Sequence, residues 1–369
     1  MGPANKGIFY KVSESISKLR YNNKISNNSS FPGSLYIPKR LNHMNLNSDN
    51  KFLLRRCRLD RNANTLNERS NANYFSILSS DDNGSCFSLE KNYCLTKHRF
   101  DMDLFYSRIV GSCNGIVCLN DDDLSGNVVL WNPVTDELKS LPPSSIEARS
   151  MSIRASGFGF DARSEDYKVV RFVETCFSGY LTHHFELYSL KTDSWRPIVN
   201  PVSFRHPYGY QSFISSCSLN GSCYWEADNC VLCFDLVDEV FSDLPLPATS
   251  QDVSRCLVGI DGSTLGFIVF PLTYKKTFDL WVWKSKEQCW SQVDSFVLRE
   301  VKALLGLWGD KCFFVGYMNE VLLFDLTTRE LKNLGIEDHF PWTMSLVPFV
   351  ESTVSIQGHS KVGELHTEE

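Results

Sequence analysis

Long apolar runs are missing from this sequence. No stretch of about eighteen apolar residues occurs, so no helix of membrane-spanning length is expected. The N-terminal residues contain no apolar core of the kind a secretory signal needs. Familiar catalytic motifs are missing too. There is no Gly-rich phosphate loop, no Gly-x-Ser-x-Gly elbow and no His-Glu-x-x-His pair. Those absences remove the commonest sequence signs of nucleotide, serine-hydrolase and zinc-peptidase chemistry. Cysteine is not scarce, at thirteen residues, but the number is odd and most fall inside strand-like segments. That pattern reads as reduced, buried thiols of a cytoplasmic or nuclear protein, not as a disulfide framework.

What is present is aromatic and repetitive. Eight Trp, fourteen Tyr and twenty-five Phe suit a β-rich core, and the 43% hydrophobic and 22% charged content is globular. Val128–Leu141, VVLWNPVTDELKSL, reads as strand, polar turn and strand. The device returns at Glu186–Ile198, Val231–Pro245, Leu280–Val293 and Val321–Leu334. In each, a large aromatic precedes another large apolar residue by seven positions: Trp131 and Leu138, Tyr188 and Trp195, Phe234 and Phe241, Trp283 and Trp290, Phe324 and Leu331. The leading aromatics lie 57, 46, 49 and 41 residues apart, a period near 48. Short strands recurring at that period mark an all-β fold of the β-propeller type, with kelch-like blades. A β-sandwich with evenly spaced strands is the competing architecture, but it has no need of a fixed period. A third strand precedes each hairpin, at Asn114–Leu119, Asp166–Phe172, Gly221–Glu226, Leu265–Phe270 and Lys311–Val315. One blade cannot bury its apolar surface alone, whereas stacked blades can.

Three regions follow. Residues 1–45 form a polar, poorly ordered N-terminal arm, with a short helix expected at Lys11–Leu19. Residues 46–357 form the propeller, and 358–369 a disordered tail. Lys51–Cys57 reads as the first strand, Tyr74–Leu78 and Cys86–Leu89 as a divergent first blade. Trp342–Ile356 reads as a last strand that pairs with an N-terminal one to close the ring. Charge is uneven: residues 1–70 carry 13 Lys+Arg against 4 Asp+Glu, net +9, and residues 71–369 carry 24 against 39, net −15. An acidic body speeds encounter with a basic partner. The basic arm lacks the interleaved aromatics of a nucleic-acid platform, so no nucleic acid and no membrane is expected as a partner.

Gly111–Cys118 with Leu130-Trp131-Asn132-Pro133 and Leu141-Pro142-Pro143 resembles the F-box-associated (type 1) domain of plant F-box proteins. Phe158-Gly159-Phe160-Asp161 followed by Asp166-Tyr167-Lys168-Val169-Val170 is similar to that family's next signature, and Ser189-Leu190 with Asp193-Ser194-Trp195-Arg196 to its third. The match covers roughly residues 50–355 and looks most like the S-locus F-box group, pollen receptors for pistil ribonucleases. The resemblance implies a target-binding subunit of a Skp–cullin–F-box ubiquitin ligase, with a basic S-ribonuclease as the target. It departs at the N-terminus. Residues 1–45 show no Leu-Pro-x-Asp start and none of the segments that follow it in an F-box. The implied Skp-type adaptor and cullin contacts therefore have no motif here to carry them. A paralogue or decoy that binds targets without ligase assembly is the alternative.

Cys230-Val231-Leu232-Cys233 lacks a second ligand pair, and strand neighbours make buried structural thiols the better reading. His183-His184 reads as surface histidines in a loop, and Asp121–Asp123 as a solvated hairpin tip. No catalytic residue, cofactor or metal site is assigned, so the chain is not expected to be an enzyme; a propeller enzyme would need a polar axial pocket with paired ionisable groups. Aromatic and Arg residues on loops are the usual binding anchors. Three inter-strand segments supply them: Cys176–His184 with Phe177 and Tyr180, Phe204–Tyr210 with Phe204, Arg205, Tyr208 and Tyr210, and Thr273–Thr277 with Tyr274, Lys275 and Lys276.

Overall fold

In a computed structural model, the chain divides into Met1–Tyr36 and Ile37–Glu369, and every described residue belongs to the second unit. The structure describes residues 51–59, 71–80, 87–95, 107–121, 126–144, 146, 151–177, 180–199, 216–227, 229–250, 253–271, 277–338, 340 and 343–357. Of residues 57–59, 71–73, 94, 121, 151, 152, 154, 176, 177, 180 and 181 it describes the backbone alone. The expected arm, its helix and the C-terminal tail lie outside these residues.

All described regular structure of any length is β. Strands β1 (Lys51–Leu59), β2 (Asn71–Ser80) and β3 (Phe87–Leu95) open the chain. A sheet follows from β4 (Ser107–Cys113), β5 (Ile116–Asp121), β6 (Val128–Asn132) and β7 (Glu137–Ser140). The next uses β8 (Met151–Asp161), β9 (Asp166–Phe177), β10 (Tyr180–Ser189) and β11 (Ser194–Ile198). Then come β12 (Ser216–Leu219), β13 (Ser222–Glu226), β14 (Cys230–Asp235) and β15 (Val240–Pro245). A fifth sheet has β16 (Val253–Gly259), β17 (Leu265–Pro271), β18 (Thr277–Lys284) and β19 (Cys289–Val297). The last full sheet has β20 (Val301–Trp308), β21 (Lys311–Gly316), β22 (Glu320–Asp325) and β23 (Leu331–Glu337). Strand β24 (Ser345–Phe349) joins the first, giving the order β24-β1-β2-β3. The result is six four-stranded antiparallel sheets, a six-bladed propeller. Its inner strands β4, β8, β12, β16, β20 and β24 touch in a closed ring.

The five aromatic-plus-seven pairs are direct cross-strand partners in the register of the outer two strands of blades 2 to 6. Opposed residues have Cβ atoms about 4.5–5.5 Å apart, which explains why the offset stays constant. Each pair also faces the preceding blade. Trp131 and Leu138 pack with Phe75 and Leu53, Tyr188 and Trp195 with Ile116 and Leu130, Phe324 and Leu331 with Phe278 and Leu280. Successive strand residues point to opposite faces, so one strand feeds two cores. Ile116 and Cys118 of β5 enter the core toward blade 3, Val117 and Leu119 the core toward blade 1. Six apolar clusters result, one per blade-to-blade seam. Blade 1 lacks the signature because Ser80 stands opposite Phe87, where the other blades have an aromatic.

Closure uses two devices. β1 pairs with β24 from Lys51↔Phe349 to Arg55↔Ser345, so the last strand does complete the first sheet. Beyond β24 the chain straps blade 2. Asn132 Nδ2 donates to the carbonyls of Ser352 and Val354 at 3.0 and 2.7 Å, while its Oδ1 accepts from the N–H groups of Val134 and Thr135. Glu137 accepts from Ser355 Oγ and Ile356 N–H, and Ile356 is buried between Ile116, Leu130 and Phe158. Ile356→Ala is therefore expected to lower stability by about 2–4 kcal/mol, read from chemical denaturation. A loss no larger than that of an exposed substitution such as Val354→Ala would show that the strap does not hold blade 2.

Candidate functional site

Antiparallel alternation sorts the connections onto two faces. Within a blade the first-to-second and third-to-fourth strand turns share one end. The second-to-third connections and the passages between blades share the other. The first set is short, two to six residues, as at 114–115, 162–165, 190–193 and 309–310. The second set reaches eleven residues at 60–70 and 96–106, ten at 141–150 and seventeen at 199–215.

Turn chemistry makes the first face rigid. Asn132, Asp161, Asp235, Asp261 and Asp325 each accept from two backbone N–H groups two and three residues on. This is the local bonding that favours Asx residues in turns. Eight of the nine described non-glycine residues with positive φ lie here: Asn114, Asp136, Glu165, Asp193, Asn220, Glu239, Gln288 and Arg329. Blades are also tied across their seams. Lys168 Nζ donates to Asp161 Oδ2 at 2.8 Å, to the Leu236 carbonyl at 2.7 Å and to Glu239 Oε1 at 2.9 Å, using all three protons. Trp195 Nε1 donates to the Pro142 carbonyl, and Trp290 Nε1 to that of Pro245. A Cβ on Gly157 would meet Cys223 Sγ at 2.5 Å and Cys223 Cβ at 2.7 Å, so blades 3 and 4 approach too closely there for a side chain, while one on Gly159 would displace the Leu236 Cδ1 methyl at 2.7 Å.

The three candidate segments share the second face. Phe177 and Tyr180 are paired at the tip of the β9–β10 hairpin of blade 3. Phe204, Arg205, Tyr208 and Tyr210 fall in the 199–215 passage from blade 3 to blade 4, and Tyr274, Lys275 and Lys276 in the 272–276 connection of blade 5. These last seven residues, and the side chains of Phe177 and Tyr180, lie outside the described residues. The strand ends that bear them place all three segments along one arc of three successive blades.

One of the segments is not the loop expected. β9 runs to Phe177 and β10 starts at Tyr180, so only 178–179 connect them. His183 and His184 accordingly sit on a strand. Cross-strand bonds account for this: Thr175 Oγ1 meets Thr182 Oγ1 at 2.6 Å, and His183 Nε2 meets Glu174 at 3.2 Å. At the base of the hairpin Arg171 and Glu186 form a buried ion pair at 2.9 Å. Arg171 also donates to the Gly126 carbonyl and lies 3.8 Å from the Trp195 ring centroid, and Ser144 Oγ donates to Glu186. The pair thus fixes two neighbouring connections of the same face. No motif in the sequence marks it, because its two residues are 15 apart and meet only through strand register.

Other candidates resolve into structure. Cys223 is buried and burial pushes its thiol up to about 12, while Cys230 and Cys233 lie in β14. Among the described residues no three His, Cys, Asp or Glu side chains converge on a metal position. On the inner strands Arg255 is held by Glu226 at 2.7 Å and Lys302 by Asn319 at 2.6 Å. One turn on the second face was not anticipated: Tyr317-Met318-Asn319, between β21 and β22, is exposed at both Tyr317 and Met318. A Tyr-Met pair in a three-residue turn was the available signal.

The model of the F-box associated beta propeller domain matches residues 65–347. The chain belongs to that family. Similar curated relatives come from Arabidopsis thaliana. An F-box protein is 27% identical over 189 residues, covering 48% of this chain and 49% of the relative. F-box protein CPR1 is 24% identical over 276 residues, 63% of this chain and 64% of the relative. An F-box/kelch-repeat protein is 32% identical over 153 residues, 39% of this chain and 37% of the relative. The matches thus span from about a third to under two thirds of those proteins.

The latch between blades 3 and 4 has a pH signature. Burial alone lifts a carboxyl, but bonds from Lys168, Ser164 and two backbone N–H groups hold Asp161 well below the usual carboxylate range. Burial alone depresses an amine, but Asp161 and Glu239 hold Lys168 above its ordinary value. Asp161 therefore stabilises the fold above its unfolded pKa of about 4, and that contribution fades as pH falls through the depressed value. Lys168 contributes below about pH 10 and loses its share as pH rises through its raised value. Lys168→Met leaves a buried carboxylate unpaired and is expected to cost about 3–5 kcal/mol at neutral pH. The deficit should shrink below about pH 4, where the unfolded chain takes up a proton at Asp161 that the native ion pair resists. Urea titrations at pH 7 and pH 3 check this, and an undiminished deficit at pH 3 excludes the ion pair as its source.

Proposed function

We propose that the long-connection face is the target-recognition surface of a substrate receptor for a Skp–cullin–F-box ubiquitin ligase. The observation that carries this reading is the division of the two faces. One is made of short, bonded turns, and the other bears the long connections together with all three aromatic and basic segments. Rigid scaffolds present binding residues on such connections. Membership of the F-box-associated family and the F-box names of the relatives support the same role. In the finer form of the proposal the target is a basic S-ribonuclease. The net −15 of residues 71–369 favours a basic partner.

Binding of an S-ribonuclease to the full chain tests this. Alanine at Phe204, Tyr208 and Tyr274 together is expected to weaken binding by about tenfold or more, as for interface anchors. Association should slow as salt rises, since charges are screened over about 8–10 Å at physiological ionic strength, while dissociation changes less. Unchanged affinity removes the assignment of the segments, and a flat salt profile removes the basic target. A second outcome concerns assembly. Residues 1–45 carry no F-box motif, so this 369-residue chain is not expected to retain a Skp-type adaptor on co-purification. Retention of the adaptor would overturn that expectation and remove the decoy alternative.

A further inference from the structure

Among described residues on the long-connection face, one turn is built like those of the opposite face. Asn319 has φ 67, the one described non-glycine residue there in the left-handed region. Its turn is bonded on three sides. Asn319 N–H donates to the Gly316 carbonyl at 3.1 Å, Lys302 Nζ donates to Asn319 Oδ1 at 2.6 Å, and Asp338 N–H donates to the Asn319 carbonyl at 3.1 Å. The first bond closes the turn. The second ties it to the inner strand β20, and the third to the chain leaving β23. Yet the residues it presents are apolar in body: Tyr317 is 49% and Met318 77% exposed. Val297, 59% exposed, lies on the same face at the end of β19. Its neighbours Phe296 and Leu298 pack into the seam of blades 5 and 6 with Phe314 and Leu322.

Turn tips are ordinarily polar because they meet water. Here the polar groups of Asn319 are spent on anchoring, and the side chains beside them, Tyr317 and Met318, are exposed. Held rigidly, such side chains lose little freedom on binding, which is what interface anchors need. The body that carries the turn is acidic, net −15 over residues 71–369. Exposed Glu337, opposite Glu320 in the β22–β23 register, and exposed Glu300 lie nearby in the chain beside Arg299 and Lys302, while Asp338 is buried. Lys302 is already bonded to the turn.

We propose that Tyr317 and Met318 form a preorganised anchor site for a protein target. The segment they receive pairs an aliphatic or aromatic side chain with a Lys or Arg. The site extends the recognition arc from blade 5 to blade 6 and rests on the reading of this face as the recognition surface. It requires no movement of the scaffold, because the turn is fixed before binding.

The probe is a random peptide library displayed on phage, panned against the full chain. Recovered peptides are then measured against three variants. Tyr317→Ser with Met318→Ser removes the anchor. Phe204→Ala, Tyr208→Ala and Tyr274→Ala together remove the other segments. Val134→Ser with Val240→Ser changes exposed apolar residues of the opposite face. All but the loop variant change side chains known to be exposed, and unfolding midpoints confirm that each variant folds. The proposal expects peptides that combine an apolar residue with Lys or Arg. Their affinity should fall about tenfold on the Tyr317/Met318 variant and less than about twofold on the Val134/Val240 variant. Peptides that lose affinity only on the loop variant overturn the anchor and leave the face standing. Peptides that bind all variants equally overturn both. Peptides rich in Asp and Glu overturn the stated chemistry. A wild-type chain that is dimeric by light scattering, with a monomeric Tyr317/Met318 variant, assigns the patch to a second copy instead and also overturns it.

Discussion

Every sheet in this fold is apolar on both faces, and only a neighbouring sheet can cover it. That constraint has one economical solution for six similar sheets, a closed ring in which each seam is a core. It also makes closure indispensable. Were β24 not paired with β1, Phe52, Leu54 and Leu346 on one side and Leu53 and Phe349 on the other would lose their cover. The strap from Glu351 to Ile356 lies where the two ends of the propeller meet. Glu351 bonds Lys51 at 2.6 Å and Lys91 at 3.2 Å, and Ile356 plugs the next seam. Strand pairing and strap act on the same joint, one through backbone bonds and one through burial.

The ring leaves few places for a partner. Outer strands expose an unpaired edge, which proteins commonly blunt. Each edge here is blunted. β7 has four residues, β11 contains Pro197, and β15 ends in Pro245. β3, β19 and β23 carry register breaks beside Leu78, Trp281 and Leu322. With the edges closed and the short turns satisfied by their own Asx residues, 60–70, 96–106, 141–150 and 199–215 are the longest segments between strands. Asn319 is the one described non-glycine residue of the long-connection face in the left-handed conformation that recurs through the short turns.

The scaffold was legible because its signal is periodic. Cross-strand opposition turns a spatial contact into a fixed offset of seven, and blade stacking turns an architecture into a period. Where a blade departs, as with Ser80 opposite Phe87, the signal fades though the sheet persists. The long connections have no such period. Cys176–His184 reads as a loop because Ser178-Gly179 and two histidines are polar, but strand pairing needs backbone partners and satisfied side chains, not hydrophobicity. Thr175 against Thr182 and Glu174 against His183 satisfy it with polar side chains. Tyr317 and Met318 escaped because a single apolar turn carries no repeat to reveal it. Arg171 and Glu186 escaped because their meeting depends on register alone.

The residues that carry the family resemblance turn out to be seam and turn residues. Asn132 of the Trp-Asn-Pro motif caps its own turn and holds the strap. Asp161 and Lys168, from the second signature, latch blade 3 to blade 4, and Trp195, from the third, bonds the Pro142 carbonyl. Gly157 and Gly159 let those blades approach. Each acts on the scaffold, and Trp195 does so by holding the start of the 141–150 connection. Motif similarity therefore reports how the blades are assembled and is silent on the target. Two chains can share every one of these motifs and differ wholly in what they bind. On the reading proposed above, target choice lies in connections such as 199–215 and 272–276 and in the exposed turn of Tyr317 and Met318, which no seam motif specifies.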